Sequence, residues 1–163
     1  MPNHCYNRVT ICSSGDNEAS SLDQIETLKD IFEGESIFPQ IIPEPDWANT
    51  PLSTSDLVTY GDKRGEVGEL PVKVEHDYGI SSRFASTKRA DDRWYDWRLQ
   101  NWDTKWDAYD VSIDDDDPEQ LEVSFNTAWS PPEAICNKIR EDYPDVSVSW
   151  FYDEPGCEIA GYL

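Results

Sequence analysis

Along this chain apolar and polar positions alternate in several short stretches and recur every three or four residues in others. From His4 to Cys12, Cys5, Asn7, Val9 and Ile11 take one side of a strand while His4, Tyr6, Arg8 and Thr10 take the other. Ser13-Ser14-Gly15-Asp16-Asn17 is turn chemistry. A helix follows: Leu22, Ile25, Leu28, Ile31 and Phe32 form an apolar stripe, Ser21 with Gln24 predicts a capping box, and Gly34 ends the run. Later, Tyr109, Val111 and Ile113 alternate up to Asp114-Asp115-Asp116-Asp117-Pro118, which reads as a hairpin loop. Leu121, Val123 and Phe125 mark the return strand. Ser130-Pro131-Pro132-Glu133 starts a second helix, with Ser130 as N-cap, Pro131 in the first helical position and Ile135, Ile139 and Tyr143 on its inner face. Val146, Val148 and Trp150 define a further strand, and Glu158 to Tyr162 a last short one.

The stretch Trp94 to Asp107 holds four of the seven tryptophans. Trp94, Trp97 and Asn101 share a face at helical spacing. Trp102, Thr104 and Trp106 then alternate, which predicts an extended segment entering a strand. That geometry points Lys105 away from both rings. It also makes Trp102, Trp106 and Trp129 core residues, because indole dominates whatever surface it fills. Phe38 to Pro45 carries too many prolines for a regular helix and reads as an extended arm docked by Ile41 and Ile42. Between residues 46 and 90 the signals weaken. Asp56 to Tyr60 fits one helical turn, Gly61, Gly65, Gly68 and Pro71 mark loops, and Val72 and Val74 fit a short strand.

Set aside residues 46–90 and the order is strand, helix, strand, strand, helix, strand. This predicts an α+β fold: a ferredoxin-like βαββαβ sandwich with an antiparallel sheet. The 46–90 insertion lies between the first helix and the second core strand, and the Trp-rich helix is extra. A length of 163 residues suits a single domain, 1–163, large enough to bury a core.

Charge changes the picture most. Thirty-four acids against thirteen bases give a formal net charge of -21. Such a field repels nucleic acid and anionic lipid and favours basic protein surfaces. No run is long and apolar enough for a membrane span, and Met1 to Asn7 has neither the charged nor the apolar region of a secretory signal. Cys5, Cys12, Cys136 and Cys157 have no zinc or cluster spacing and read as free thiols in a reducing cytoplasm. Cys5 and Cys12, seven apart on one strand, fall on opposite faces.

Several segments recur in the order of a known family. They are Met1-Pro2-Asn3, Ile42-Pro43-Glu44-Pro45, Trp94-Tyr95-Asp96-Trp97-Arg98, Asn101 to Asp107, Thr127-Ala128-Trp129-Ser130-Pro131-Pro132 and Tyr152-Asp153-Glu154-Pro155-Gly156. The chain resembles the YubB ferredoxin-like family of plasmid- and phage-carried proteins, outside residues 46–90. The family usually has Gly where this chain has Asp103. The resemblance implies the fold and a mobile-element origin. It implies no activity and supplies no catalytic residues.

Candidate chemistry is sparse. His76-Asp77 is a possible acid–base pair inside the insertion, and Asp153 with Glu154 a possible carboxylate pair, but each has a plain loop or turn reading. Asp114 to Asp117 lacks the central Gly and the alternating ligands of a calcium loop. There is no phosphate-cradling Gly loop and no nucleophile motif. No cofactor and no metal site are expected. Residues 103–122 do hold nine acids and one base. The favoured reading is a non-enzymatic acidic binding protein of a phage or mobile element in the host cytoplasm. It would meet a host protein with a basic surface, possibly a nucleic-acid-binding one, as a polyanion mimic and inhibitor. Asp110, Asp114, Asp115, Asp116, Asp117, Glu119 and Glu122 would form the face. The alternative rests on a basic island of six of the thirteen bases: Arg83, Lys88, Arg89, Arg93, Arg98 and Lys105. In that reading Arg93, Arg98, Trp102 and Lys105 line a small-molecule or nucleotide pocket.

Overall fold

The computed structural model describes residues 3–15, 17–50 and 93–163. The chain divides into two compact units, Met1–Pro43 with Arg98–Leu163, and Glu44–Trp97. Most of the expected insertion lies outside the described residues, including the helical turn at Asp56, the strand at Val72, His76-Asp77 and the bases Arg83, Lys88 and Arg89.

The first unit carries the sheet. The described elements are β1 (His4–Ser13), α1 (Glu18–Glu33), α2 (Phe38–Ile41), α3 (Arg93–Asn101), β2 (Tyr109–Asp117), β3 (Gln120–Ala128), α4 (Glu133–Asp142), β4 (Val146–Glu154) and β5 (Ile159–Tyr162). The strands lie in the order β2-β3-β1-β4-β5, with every neighbouring pair antiparallel. Removing β5 leaves the strand order and connectivity of the ferredoxin-like fold. β2 and β5 are the edges.

Alternation decides the two faces. Cys5, Asn7, Val9 and Ile11 of β1 are buried, as are Leu121, Val123 and Phe125 of β3 and Trp150 of β4. α1 closes over them with Ser21, Ile25, Leu28 and Phe32, and α4 with Ile135, Cys136 and Ile139. Phe125 is the hub: its ring lies 6.0 Å from Phe32, 6.1 Å from Phe38 and 5.6 Å from Trp150. Full burial of each such side chain contributes about 2–3 kcal/mol.

Several local expectations are corrected. Helix α1 begins at Glu18, three residues before the expected capping box, so Ser21 is buried and bonded to Ser13 (2.7 Å). Gln24 instead works with Ser20 to hold Asp145: Ser20 Oγ donates to Asp145 Oδ2 at 2.5 Å, and Asp145 N donates to Gln24 Oε1 at 3.1 Å. The proline-rich arm contains one helical turn, α2, with Pro39 in its first turn, where its missing N–H costs nothing. The Asp run is no loop: β2 continues to Asp117 and the reversal falls on Pro118 and Glu119.

The tryptophan stretch is bent after the helix, contrary to the extended reading. Asp103 has φ +62° and turns the chain. Trp102 is therefore fully buried, its ring 5.8 Å from Phe38 and its Nε1 donating to Ile42 O at 3.1 Å. Thr104 is also buried and donates to Ala128 O at 2.9 Å. Asp103 Oδ2 accepts the Ala134 N–H at 2.8 Å, so this carboxylate caps α4 in place of the expected Ser130. Asp107 accepts the N–H groups of Ile37 (2.9 Å) and Phe38 (2.8 Å) and caps α2. Trp106 and Trp129 are not core. They are 38% and 48% exposed, because the bend and the φ of +75° at Trp129 turn both rings outward.

Candidate functional site

Six of the seven carboxylates singled out from the sequence gather at one corner of the sheet, on the end of β2, its turn and the start of β3, while Asp110 stands at the other end of β2 beside Asn126. They do not share one face. Asp114 stands directly opposite Glu122 in the β2–β3 register, and both lie on the face away from the helices. Asp110 shares that exposure and accepts from Asn126 Nδ2 at 3.2 Å; its φ of +54° falls where the β2 register shifts. Asp115 points the other way and pairs with Lys29 of α1 at 2.6 Å. That contact holds the Lys29 ammonium above its usual pKa and the Asp115 carboxyl below its own. Both groups are solvated, so the pair contributes little. Asp117 caps the turn through Glu119 N at 2.9 Å and lines a shallow groove of about 280 Å³ beside Leu22, Ile25, Lys29 and Leu121. Asp116 and Glu119 are exposed. Among the described residues, Asp115 alone of the seven has an ion pair.

The acidity of β2 also has a structural consequence. An edge strand offers unpaired backbone groups to any other strand, and charge along it discourages such pairing. Four consecutive aspartates on the edge give it that protection.

The face of the sheet away from α1 and α4 holds residues that the sequence reading passed over. Tyr6 and Arg8 of β1 stand beside Ser124 and Asn126 of β3 and Phe151 and Asp153 of β4. The Arg8 guanidinium lies 5.8 Å over the Phe151 ring, and Tyr162 of β5 meets the same ring edge-on at 5.4 Å. Tyr6 is 43% and Tyr162 68% exposed. At one end His4 Nδ1 and the Tyr109 hydroxyl are 2.6 Å apart, and Trp106 packs on Tyr109 at 6.3 Å. Across β1, β3 and β2 this face has a shallow depression of about 240 Å³ lined by Tyr6, Arg8, Ser112, Asp114, Glu122 and Ser124. The signal was the even-numbered half of the β1 alternation, which any single-sided sheet must expose.

The alternative pocket residues divide between the units, Arg93 in the second and Arg98, Trp102 and Lys105 in the first. Arg93 is buried and donates to Trp47 O (3.1 Å) and Thr50 O (2.8 Å), with its guanidinium 5.2 Å over the Trp47 ring. Arg98 packs 4.8 Å over Trp102 and donates to Lys105 O. Lys105 does not point away from the tryptophans as expected; its Nζ lies 4.4 Å over Trp106. With Trp102 fully buried, its ring offers no stacking face.

A third polar group lies at the end of the sheet facing the helices. Asn7 Nδ2 donates to Thr127 Oγ1 at 2.9 Å, and Trp150 Nε1 donates to Asn7 Oδ1 at 3.0 Å. Burial pushes the neighbouring Cys5 thiol up to about 11, so it is an inert thiol and no nucleophile. Glu154 is fully buried and accepts the Cys157 N–H, which with the Cys157 side chain holds its carboxyl below the ordinary range. Glu154 and Asp153 do not act as a pair, since neighbours on one strand point to opposite faces. All four cysteines are free. Among the described residues no group of three His, Cys, Asp or Glu side chains could hold a metal ion, and no helix is long and apolar enough to cross a membrane.

This is a ferredoxin-like α+β domain, extended by a fifth strand and acidic at one corner. Residues 101–163, from the end of α3 through β5, match a family model described as the ferredoxin-like domain in Api92-like protein. Among solved structures, the protein Api92 from Yersinia pseudotuberculosis aligns with 99% of this chain and 93% of its own, at 10% identity and a TM-score of 0.48. No curated protein matches the chain.

Proposed function

We propose that this is a non-enzymatic binding protein that meets a basic protein surface through the acidic corner formed by β2, its turn and β3. One observation carries the reading. Six carboxylates, Asp114 to Asp117, Glu119 and Glu122, lie around the β2–β3 turn, and among the described residues one of them, Asp115, is neutralised by an ion pair. Side chains of one sign at one corner steer a partner of the other sign and raise its association rate. The formal charge of -21 adds a long-range field of the same sign. The resemblance to the plasmid- and phage-carried YubB family supports a host protein as the target, with carboxylates imitating the phosphates of a nucleic acid. The cytoplasm is the compartment where such a target would be met.

The test is capture from a bacterial lysate at low and at physiological salt. The wild-type chain is compared with a fourfold variant, Asp114→Asn, Asp116→Asn, Glu119→Gln and Glu122→Gln. The proposal expects a basic partner that the wild type retains and the variant loses, with retention falling as salt rises. A partner set indifferent to both the salt and the variant would overturn it.

A further inference from the structure

We infer that β5 is a self-pairing edge: two copies of this chain join β5 to β5 about a twofold axis at Gly161 and make one continuous antiparallel sheet. The inference goes beyond the proposed function and does not depend on it.

The two edges of the sheet are built differently. β2 carries Asp110 and four consecutive aspartates, which discourage strand addition. Ile159 to Leu163 carries no charge and no proline, and Ile159 and Tyr162 are 46% and 68% exposed. The backbone of β5 is also set for addition. Leu163 N donates to Trp150 O at 3.0 Å, so in the antiparallel β4–β5 ladder Ile159, Gly161 and Leu163 turn their peptide groups towards β4. Ala160 and Tyr162 turn theirs outward, and among the described residues no backbone partner meets them.

The side chains then select a second copy of this chain as the occupant. A twofold axis at Gly161 sets Ala160 opposite Tyr162 of the second copy, and each such pair exchanges both N–H···O bonds. This register uses every residue from Ile159 to Leu163. On the face away from α1 and α4, the exposed Tyr162 ring lies over the small Ala160. On the other face Ile159 meets Leu163, and Gly161 meets its own counterpart on the axis. There the two chains come closest, at about 4.5 Å between Cα atoms, and neither has a Cβ to crowd the other. Tyr152 covers each glycine, with its hydroxyl 3.4 Å from where a Cβ would stand.

Charge supports the same arrangement. Arg140 donates to Val148 O at 2.9 Å and to Leu163 O at 3.0 Å, so its guanidinium stands at the end of β5. In this register the exposed Glu158 of the second copy arrives at that end, and opposite charges meet on both sides of the axis. The formal charge of -21 opposes association, but β5 is the edge farthest from β2. With strands ~4.8 Å apart, the β2 edges of a dimer stand about 40 Å from each other, several times the Debye length of ~10 Å at 0.1 M salt. The paired strands are short, so the dimer is weak, with a Kd on the order of 10–100 μM. A strand from an unrelated protein would gain the backbone bonds but neither the fit of Tyr162 on Ala160 nor the pairing of Arg140 with Glu158.

Sedimentation velocity on the full chain from ~5 to ~500 μM, at 0.1 M and 1 M salt, tests this. A dimer should grow in with concentration, and more so at high salt, because screening removes repulsion between copies. Ala160→Pro deletes an N–H that points outward, a position where an edge strand accepts proline. It should keep the melting temperature close to wild type and weaken the dimer about tenfold or more. Tyr162→Asp, which places like charges in the joint, should weaken it similarly. A second arm reads the register without proline, in a Cys157→Ser background that removes the exposed thiol. Mild oxidation should link Gly161→Cys into a covalent dimer, since the paired Cα atoms fall within disulfide reach, and should leave Ala160→Cys unlinked. A monomer across the whole range, a dimer indifferent to Ala160→Pro and Tyr162→Asp, or equal linking of the two cysteines would overturn the inference. None of these results bears on partner capture by the acidic corner.

Discussion

Asp103 shows how much one residue of the tryptophan stretch does. Its backbone sits at φ +62°, a conformation that costs a side chain with a Cβ about 1–2 kcal/mol and that Asp and Asn tolerate best. Its carboxylate also caps α4 through Ala134 N. The one residue thus gives up backbone freedom and supplies the cap of α4. Asp103→Ala loses both advantages and should destabilise the fold by about 2 kcal/mol, whereas Asp103→Asn should cost under about 0.5 kcal/mol. Chemical denaturation of the two variants checks this. Glu154 gives a pH dependence. Its folded carboxyl lies below the ordinary 4.5, held there by donation from Cys157. A depressed carboxyl stabilises the folded chain above its unfolded pKa, and that contribution fades as pH falls through the folded value. Glu154→Gln should therefore lower the melting temperature at pH 7, and the gap to wild type should shrink below about pH 4. A gap that stays constant or widens on acidification would contradict this assignment.

Most of the elements were legible in the sequence because alternation and three-four spacing are direct images of burial. β1 buries the positions its pattern selected, and α1 buries Ile25, Leu28 and Phe32 from the expected stripe. What misled was local backbone geometry. Trp102, Thr104 and Trp106 alternate like a strand, but the left-handed turn at Asp103 breaks the period and sends Trp106 outward. The Asp114 to Asp117 run looked like a loop because four like charges seek water. An edge strand satisfies that demand equally well. This reading of β2 makes a prediction at its own scale. Asp114→Val with Asp116→Val would leave an apolar, unprotected edge. Sedimentation should then show open-ended, concentration-dependent association, while the wild type stops at a dimer. A double variant that behaves like the wild type would mean the charges do not guard the edge. The candidate site was half legible. The acids were found from their density, but their division between two faces follows from the register of β2 with β3, which composition does not carry.

The whole molecule carries -21 formal charges on 163 residues. Self-repulsion of that size opposes compaction. Added neutral salt, which shortens the Debye length from ~10 Å at 0.1 M to ~3 Å at 1 M, should raise the melting temperature by several degrees. Calorimetry at a few salt concentrations checks it, and an unchanged or falling temperature would show that the charges are already balanced within the fold. The same screening should weaken partner binding, so salt is expected to move stability and affinity in opposite directions.

The most direct measurement of the account is the affinity of the captured partner for two variants of equal charge. One removes Asp114, Asp116, Glu119 and Glu122 as amides at the sheet corner; the other removes Glu18, Asp23, Glu133 and Glu141 as amides on α1 and α4. A localised face predicts that the first loses about tenfold or more in Kd and the second stays within about threefold. Equal losses in both, or none in the first, would contradict it.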